Sequence, residues 1–258
     1  MWRILAESVA GTSHTANATS CQDAHVVCVV QTTNGPVLFA AVADGAGSAL
    51  FGEIGATVAC EKLRSEACEM LATGITVEQL SRDVLVRWLL SAKSEIVREA
   101  NTRTVRPREL ACTAILSVIG ENAAAFAQVG DGAVVIPDTK GYSPVFWPAP
   151  AEYANVTDFL TDEGIEDRIV SEMVTISIGE VAIFSDGLQR LALDYSTKRG
   201  HSKFFAPLFA ALHGQQTIQE LSSSLRAFLD SSQVNARTDD DKTLVLATRL
   251  VPTQPTTC

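Results

Sequence analysis

The chain has 258 residues, 47% of them hydrophobic, which suits one large domain or two small ones with a substantial buried core. Its formal net charge at neutral pH is −10, so the protein repels phosphate backbones, and this argues against a nucleic-acid-binding function. No apolar stretch approaches the ~18 residues of a membrane span, and Glu7 interrupts the apolar run that a signal peptide would need.

Two predicted strands and two predicted helices occupy the first part of the chain. Val26–Gln31 and Pro36–Ala43 are valine-rich apolar runs around Thr32-Thr33-Asn34-Gly35, a sequence typical of a β-hairpin turn. Residues 48 to 72 and residues 77 to 101 contain few helix breakers and carry apolar side chains at mostly helical spacing. This pattern predicts two consecutive amphipathic helices.

A second group of predicted strands follows. Residues 111–119 and 123–129 are apolar runs on either side of Gly120-Glu121-Asn122, and residues 133–136 extend them into a meander. Between residues 138 and 167 the composition shifts to Pro, Tyr, Asp and Glu with weak periodicity. We interpret this range as an irregular flap over the core rather than as a separate domain.

The last predicted elements are two strands at 170–177 and 181–185, two helices at 202–213 and 217–231, and a final strand at 243–250. Strands and helices thus come in segregated runs, which favours an α+β domain with largely antiparallel sheets. We expect one domain over residues 1–250, in which two packed sheets are flanked by helices in a four-layer αββα sandwich. We expect a flexible tail at 251–258.

Six cysteines are spread through the sequence, and none forms a Cys-x-x-Cys pair. Several lie in apolar stretches, as Cys112 does, which is typical of small buried side chains in a reducing compartment. We therefore predict neither a disulfide framework nor a zinc site, and we expect a cytoplasmic monomer that binds neither nucleic acid nor membrane.

Aspartates stand at four strand ends, next to glycine or to another acid. They are Asp44 in VADGAGS, Asp131 in VGDGAVV, Asp186 in FSDGL, and the run Asp239-Asp240-Asp241 before the last strand. A single Asp-Gly pair after a strand is commonly only a turn, because glycine tolerates positive φ and Asp bonds its own backbone. If the strand ends meet at one edge of a sandwich, however, the carboxylates converge and either take up protons or bind a cation. Such all-oxygen sites select Mg²⁺, Mn²⁺ or Ca²⁺ and serve metal-assisted hydrolysis.

Six motifs, in this order, resemble those of the protein phosphatase 2C-like (PPM) metal-dependent serine/threonine phosphatases, and the opening GTSH (11–14) with CQDA (21–24) looks closest to a bacterial branch. They are CQDAHVV (21–27), VADGAGS (42–48), CTAILSVI (112–119), VGDGAVV (129–135), FSDGLQRL (184–191) and DDKTLVLA (240–247). The resemblance covers almost the whole chain. It implies two packed antiparallel sheets flanked by helix pairs.

The resemblance also implies a first set of metal ligands. Asp44 would bridge two metal ions, and the carbonyl oxygen of Gly45 would complete one of the two sites. Asp186 and Asp240 would bind the first metal. The family register selects Asp240 from the acidic run, and Asp239 stays open as a one-residue-slip alternative.

Two more aspartates receive roles in the same way. Asp23 would orient metal-bound water in the outer shell, and Asp131 with Asp186 would hold a third, weaker ion. The implied cofactors are therefore two or three Mg²⁺ or Mn²⁺ ions. In the implied mechanism, a water that bridges two ions has its pKa lowered to near neutrality and attacks the phosphorus in line.

Two positions depart from the family pattern. Many eukaryotic members carry His directly after the Asp-Gly of the second motif, and this chain has Ala46 there. Many members carry a phosphate-binding Arg five residues before the first-motif Asp, and that position is Ala18. His14 lies nearby in sequence and is our candidate for binding the substrate phosphate, with a structural histidine as the alternative.

The sequence thus predicts a Mg²⁺- or Mn²⁺-dependent phosphatase acting on phosphoserine and phosphothreonine in proteins, including the target of a cognate kinase. One alternative is a catalytically weak regulatory relative that binds a phosphoprotein or partner, which Ala46 and Ala18 favour. Another is a hydrolase of small phosphorylated metabolites, because the metals contact only the phosphoryl group. Arg103, Arg106 and Arg108 form either a solvated loop or a contact for a phosphopeptide.

Overall fold

Two antiparallel β-sheets form the centre of the computed structural model, which describes residues 1–147 and 157–250. The strands of these residues are β1 (Trp2–Val9), β2 (Asp23–Thr32), β3 (Gly35–Asp44), β4 (Ala114–Ile119), β5 (Ala124–Val129), β6 (Ala133–Asp138), β7 (Gly141–Pro144), β8 (Val170–Val174), β9 (Glu180–Phe184), β10 (Leu193–Asp194), β11 (Arg199–Gly200) and β12 (Lys242–Arg249). One sheet has the order β1-β12-β9-β6-β7-β11-β10, and the other has the order β2-β3-β4-β5-β8. Because β1 pairs with β12 along its whole length, the two ends of the described chain share one sheet.

Helices cover the outer faces of both sheets. The helices of the described residues are α1 (Thr12–Ala16), α2 (Gly52–Ala72), α3 (Arg82–Arg103), α4 (Gln189–Ala192), α5 (Ser202–His213), α6 (Ile218–Leu229) and α7 (Ser232–Asn235). Helices α2 and α3 pack on the five-stranded sheet, and α5 and α6 pack on the seven-stranded sheet. In the described part of the chain, no helix combines the length and apolarity that crossing a bilayer requires.

The alternation of side chains along β3 separates two cores. Phe39 points to the core shared with α2 and α3, where it joins Leu63. Its neighbour Leu38 points to the opposite face and meets Ile183 of β9 between the two sheets. A third core lies between the seven-stranded sheet and α5, where Phe205 is fully buried. Burying each such side chain contributes roughly 1.5–3 kcal/mol, and the three cores produce the predicted four-layer αββα sandwich.

The irregular flap predicted for residues 138–167 is wrong in part. Asp138 pairs with Gly141, so residues 138–144 complete a hairpin in the seven-stranded sheet. Leu160 and Ile165 are fully buried in the core beside α2 and α3. Asp138 and Gly141 thus belong to a tight turn, in which Gly141 has a φ of +122°. Residues 148–156 of that range, and the predicted tail at 251–258, lie outside the described residues.

Two local predictions also need correction. Strand β1 was not predicted separately, because charged residues such as Glu7 break its apolar pattern, yet Glu7 is buried and pairs with Arg226 at 2.6 Å. The helix predicted from residue 48 begins only at Gly52. Residues 45–51 instead form a loop bonded to the segment before β4, with the amide of Ala46 donating to the carbonyl of Ala111 (2.9 Å).

Candidate metal centre

The aspartates at the strand ends meet at one edge of the sandwich. Asp23, at the start of β2, lies directly opposite Asp44, at the end of β3. From the other sheet, Asp186 follows β9 and Asp240 precedes β12, the neighbour of β9. The carboxyl groups of Asp44 and Asp186 are in hydrogen-bonding contact. The structure thus brings together acidic side chains from both sheets.

The backbone around Asp44 is fixed by its neighbours. The amide of Asp44 donates to Thr113 Oγ1 (3.0 Å), and the amide of Thr113 donates to the carbonyl of Asp44 (2.8 Å). The amide of Gly45 donates to the carbonyl of Gln22 (3.1 Å). A Cβ atom at Gly45 would collide with the backbone of Gly52, so only glycine allows this close approach. The predicted bridging residue therefore stands on a rigid support.

Asp23 is the most deeply buried member of the cluster. Its Oδ2 accepts a hydrogen bond from Ser185 Oγ (2.6 Å), and Ser185 Oγ in turn accepts from the amide of Thr243 (3.0 Å). Burial raises the pKa of Asp23 to about 7 against the opposing effect of hydrogen bonds from Ser185 and Thr243, and the charges of Asp241 and Asp186 add to the increase.

The other carboxyl groups raise one another's pKa. Burial and then the charge of Asp23 raise the pKa of Asp44 well above its usual range, and the charge of Asp186 adds to this increase. Burial raises the pKa of Asp186 to about 6, and the charge of Asp131 is the next cause. Asp240 contributes to the raised pKa of Asp44, Asp186 and Asp131. Among the described residues, none of these five carboxylates has an ion-pair partner.

The three aspartates of the acidic run before β12 differ in burial and in contacts. Asp241 is buried, and its carboxylate accepts hydrogen bonds from the amides of Gly11 (2.6 Å) and Gln22 (2.5 Å). Asp240 is partly exposed and its charge acts on the cluster, whereas Asp239 is exposed. Asp240 is therefore the member of the run whose charge acts on Asp44, and Asp241 is an internal anchor.

His14 lies beside this anchor. Its Nδ1 is 2.8 Å from Asp241 Oδ1, although the ring nitrogen is not aligned for a hydrogen bond. The amide of Ser13 donates to the carbonyl of Asp239 (3.0 Å), which ties α1 to the entry of β12. The sequence candidate for phosphate binding is therefore close to the acidic run, beside Asp241.

Asp131 joins the cluster from the β5–β6 turn. Burial raises its pKa, and Thr157 Oγ1 donates a hydrogen bond to Asp131 Oδ2 (3.0 Å). The charge of Asp131 in turn raises the pKa of Asp186. This is the pair for which the family resemblance implies a third ion.

The chemistry of the cluster fits a hard cation. Oδ1 of Asp23 and Oδ1 of Asp186 are buried and have no hydrogen-bond partner among the described residues. Carboxylates that repel one another and leave oxygens unpaired are stabilised by Mg²⁺ or Mn²⁺. Within residues 1–147 and 157–250, however, no three His, Cys, Asp or Glu side chains already enclose a common ion position. The carboxylates are thus grouped but not closed around an ion.

Sequence reasoning missed the polar residues that position these carboxylates. They are Thr113, Ser185 and Thr243, with Thr157 beside Asp131. Ser185 and Thr243 carried a usable signal, since each is a buried polar residue where an apolar strand meets an acidic motif. Cys21, Cys28, Cys60, Cys68 and Cys112 are free thiols in the described chain, of which Cys60 and Cys112 are buried as predicted and the other three are partly buried. Cys258 lies outside the described residues.

Gly187→Ala is expected to disturb this centre without removing a carboxylate. A Cβ atom at Gly187 would collide with the backbone carbonyl of Asp241 and displace the entry of β12. We expect the free energy of unfolding to fall by about 2 kcal/mol and kcat to fall about tenfold or more, because small misplacements of catalytic groups are costly. Denaturant unfolding and phosphatase assays measure both quantities. Gly179→Ala is the matched control, since a Cβ there meets nothing within 4 Å, and equal behaviour of the two variants would contradict the prediction.

Comparison with known proteins identifies the family. The sequence profile described as Protein phosphatase 2C matches residues 10–230. Serine/threonine-protein phosphatase 3 of Escherichia coli (strain K12) is 36% identical over 253 residues, which cover 95% of this chain and 98% of that protein. The αββα sandwich that carries this acidic centre is therefore the fold of a metal-dependent protein phosphatase. The chain belongs to the protein phosphatase 2C family.

Solved structures agree on the fold. The serine/threonine phosphatase Stp1 from Staphylococcus aureus superimposes with a TM-score of 0.68 at 14% sequence identity, over 97% of this chain and 96% of that chain. The catalytic domain of the serine/threonine protein phosphatase PstP, solved in complex with two manganese ions, gives a TM-score of 0.60 at 14% identity, over 96% of this chain and 97% of that chain. These likenesses confirm the predicted sandwich.

Proposed function

We propose that this protein hydrolyses phosphoserine and phosphothreonine monoesters in proteins, with Mg²⁺ or Mn²⁺ as its cofactor. The observation that carries the proposal is the convergence of Asp23, Asp44, Asp131, Asp186 and Asp240 without a cationic partner among the described residues. The E. coli relative is named a serine/threonine-protein phosphatase, and the PstP domain was solved with two manganese ions. Both findings support the same chemistry for this chain.

The proposed ligands follow from the placement of the carboxylates. Asp44 contacts Asp186 and faces Asp23 across the ladder, so it is placed to bridge two ions. Asp186 and Asp240 would hold the first ion, and the carbonyl of Gly45 would complete a site. Asp131 with Asp186 would hold a third ion. When bound, the cations lower the pKa of water and offset negative charge on the phosphoryl oxygens.

The side chains around the centre orient the reactants. Ser185 fixes one oxygen of Asp23, which leaves Oδ1 free to accept a hydrogen bond from water and to orient it in the outer shell. His14, held beside Asp241, is our proposed donor of a hydrogen bond to the substrate phosphate. No step in this scheme needs a cysteine.

A weakly catalytic regulatory protein is the second candidate. Ala46 stands where many relatives have a histidine, and it is buried in a small apolar cluster with Ala49 and Ala111. That position therefore provides no proton donor for the leaving oxygen. The retained carboxylate cluster argues against loss of catalysis, and a hydrolase of small phosphorylated metabolites would use the same centre.

Hydrolysis assays separate these functions. We expect turnover of an aryl phosphate and of a phosphothreonine peptide with Mn²⁺ or Mg²⁺, and a loss of about 100-fold or more with a chelator. Activity that survives the chelator would contradict the metal-centred mechanism. Tight Mn²⁺ binding without turnover of any substrate would support the regulatory function, and turnover restricted to small phosphate esters would support the metabolite hydrolase.

The cellular location, oligomeric state and partners of the protein are a separate proposal. Unpaired thiols among the described residues fit a reducing compartment, so we place the protein in the cytoplasm. Its net charge of −10 favours a monomer and disfavours nucleic acid as a partner. We propose that residues 1–250 form one domain, that the protein does not bind membranes, and that its substrate is the target of a cognate kinase.

A further inference from the structure

We propose that a surface beside the metal centre binds the substrate segment next to the phosphorylated residue and selects acidic and aliphatic side chains there. This surface, the arginine rim, consists of Leu50, Phe51, Arg103, Arg106 and Arg108. The inference rests on the proposed function, because it concerns which phosphoproteins that centre dephosphorylates.

The arginine rim lies close to the catalytic aspartates. The loop of residues 45–51 leaves the sheet at Gly45 and ends at Gly52, the first residue of α2, whose backbone closely approaches Gly45. Leu50 is two residues before Gly52, so its Cα is at most roughly 12 Å from that of Gly45. An extended peptide covers this distance in about four residues. A substrate whose phosphate lies at Asp44 therefore reaches the rim with its adjacent residues.

The apolar part of the rim is exposed on an ordered backbone. Leu50 is 69% exposed, and among the large hydrophobic residues of the described chain only Met1 is more exposed. The next residue, Phe51, is held by its amide, which donates to the carbonyl of Glu109 (2.8 Å). Beneath the loop, Ala49 is buried against Phe159. Leu50 therefore presents an aliphatic side chain to solvent at a fixed position.

The charged part of the rim has more cations than anions. Arg106 and Arg108 are 67% and 68% exposed, and both pair with the same carboxylate oxygen of Glu109, at 3.2 and 3.4 Å. Arg103 pairs with Glu99 (2.7 Å) and lies 5.7 Å from the ring centroid of Phe51. One positive charge is thus left over, in a chain whose overall charge is −10. Exposed ion pairs of this kind are weak, so an acidic peptide can exchange with Glu109.

A solvated loop is the competing explanation. Arginines near the end of α3 also compensate the negative end of the helix dipole, and that role requires no ligand. The two explanations differ in one measurable respect. Only if the arginine rim docks the substrate does substitution of the rim arginines change how the KM for a phosphopeptide depends on the residues next to its phosphothreonine.

The test compares Arg106→Glu/Arg108→Glu and Leu50→Ser with the wild type. The substrates are a phosphothreonine peptide flanked by glutamate and leucine, the same peptide with lysine in place of glutamate, and an aryl phosphate. For the double variant we expect the KM for the glutamate peptide to rise about tenfold, the KM for the lysine peptide to fall, and the aryl phosphate kinetics to stay unchanged. Leu50→Ser should raise the KM for both peptides.

Arg98→Glu is the matched control. Arg98 lies on α3, is 67% exposed and pairs with Glu95, as the rim arginines pair with Glu109. We expect it to leave the kinetics with both peptides unchanged. Equal KM values for wild type and rim variants would overturn the proposal, and so would a loss of aryl phosphate hydrolysis equal to the loss with peptides, since that indicates damage to the centre.

Binding separates failure of docking from failure of the proposed function. The probe is a labelled glutamate peptide with a hydrolysis-resistant phosphonate in place of the phosphate. Its binding is measured by fluorescence anisotropy. Weaker binding by the rim variants supports docking even if the wild type turns over no substrate, in which case only the proposed function fails. Turnover by the wild type with unchanged Kd in the rim variants means that only the docking proposal fails.

Discussion

Asp44→Asn is expected to lower kcat for an aryl phosphate by about a thousandfold or more, because metal stabilisation of the transition state contributes several kcal/mol and each 1.4 kcal/mol is a factor of ten. The same variant should raise the melting temperature of the metal-free protein. The raised pKa of Asp44 shows that its charged form is disfavoured beside Asp23 and Asp186. An amide of the same shape removes that repulsion and can donate a hydrogen bond to Asp186. Steady-state kinetics and calorimetry with chelator measure the two effects.

A fall in kcat combined with a rise in melting temperature identifies Asp44 as a functional carboxylate. A substitution that merely damaged the fold would lower both activity and stability. Asp167→Asn is the control, because Asp167 is an exposed aspartate outside the cluster, and we expect neither quantity to change. An Asp44→Asn variant that keeps wild-type kcat, or that melts at a lower temperature than the wild type in chelator, would contradict the role we assign to Asp44.

The metal-free protein is expected to become less stable as the pH rises from 5 to 8. Asp23 and Asp186 have folded-state pKa values of about 7 and about 6, whereas an unfolded Asp titrates near ~3.9. Between these values the folded state binds more protons than the unfolded state, so the free energy of unfolding falls with rising pH. The stabilisation is complete below about pH 4 and is lost as the pH passes through the folded-state values. The partly buried His25, whose pKa is lowered by its burial, acts in the opposite direction but is a single group.

Mn²⁺ should restore the stability that the metal-free protein loses as the pH rises. Each pKa unit corresponds to about 1.4 kcal/mol, so we expect a melting temperature about 5–10 °C lower at pH 8 than at pH 5 in the presence of chelator. Added Mn²⁺ should raise the melting temperature more at pH 8, because protons compete with the metal at pH 5. Asp44→Asn should flatten the pH dependence. A metal-free melting temperature that is equal or higher at pH 8 would show that the carboxylates do not repel one another as the structure indicates.

The same repulsion connects stability and function in this protein. The carboxylates that destabilise the metal-free fold near neutral pH are those that provide oxygens for a cation. Relief of their repulsion therefore contributes to the free energy of metal binding. The internal anchor Asp241 is the exception, because backbone amides of Gly11 and Gln22 satisfy its carboxylate. Neighbouring aspartates at 240 and 241 thus differ in function although their local sequence is alike.

Much of the architecture could be predicted from the sequence alone, because it depends on local periodicity. The alternation along β3, the helical spacing in α3 and α6 and the Asp-Gly turns are properties of short segments. They determined the class of fold, and the order of the acidic motifs identified the candidate metal ligands. The helix predicted at 202–213 matches α5 at both ends for this reason.

Only the tertiary structure decided the contacts between distant segments. It placed Asp23 opposite Asp44, set Ser185 against Asp23, and buried Leu160 in a range predicted to be irregular. It also exposed Leu50 on a loop where a helix was predicted. Each of these outcomes depends on residues far apart in the chain, whose approach is set by sheet register and core packing. Local sequence therefore determined that aspartates end the strands, and the packing of the two sheets decided which of them share a charge environment.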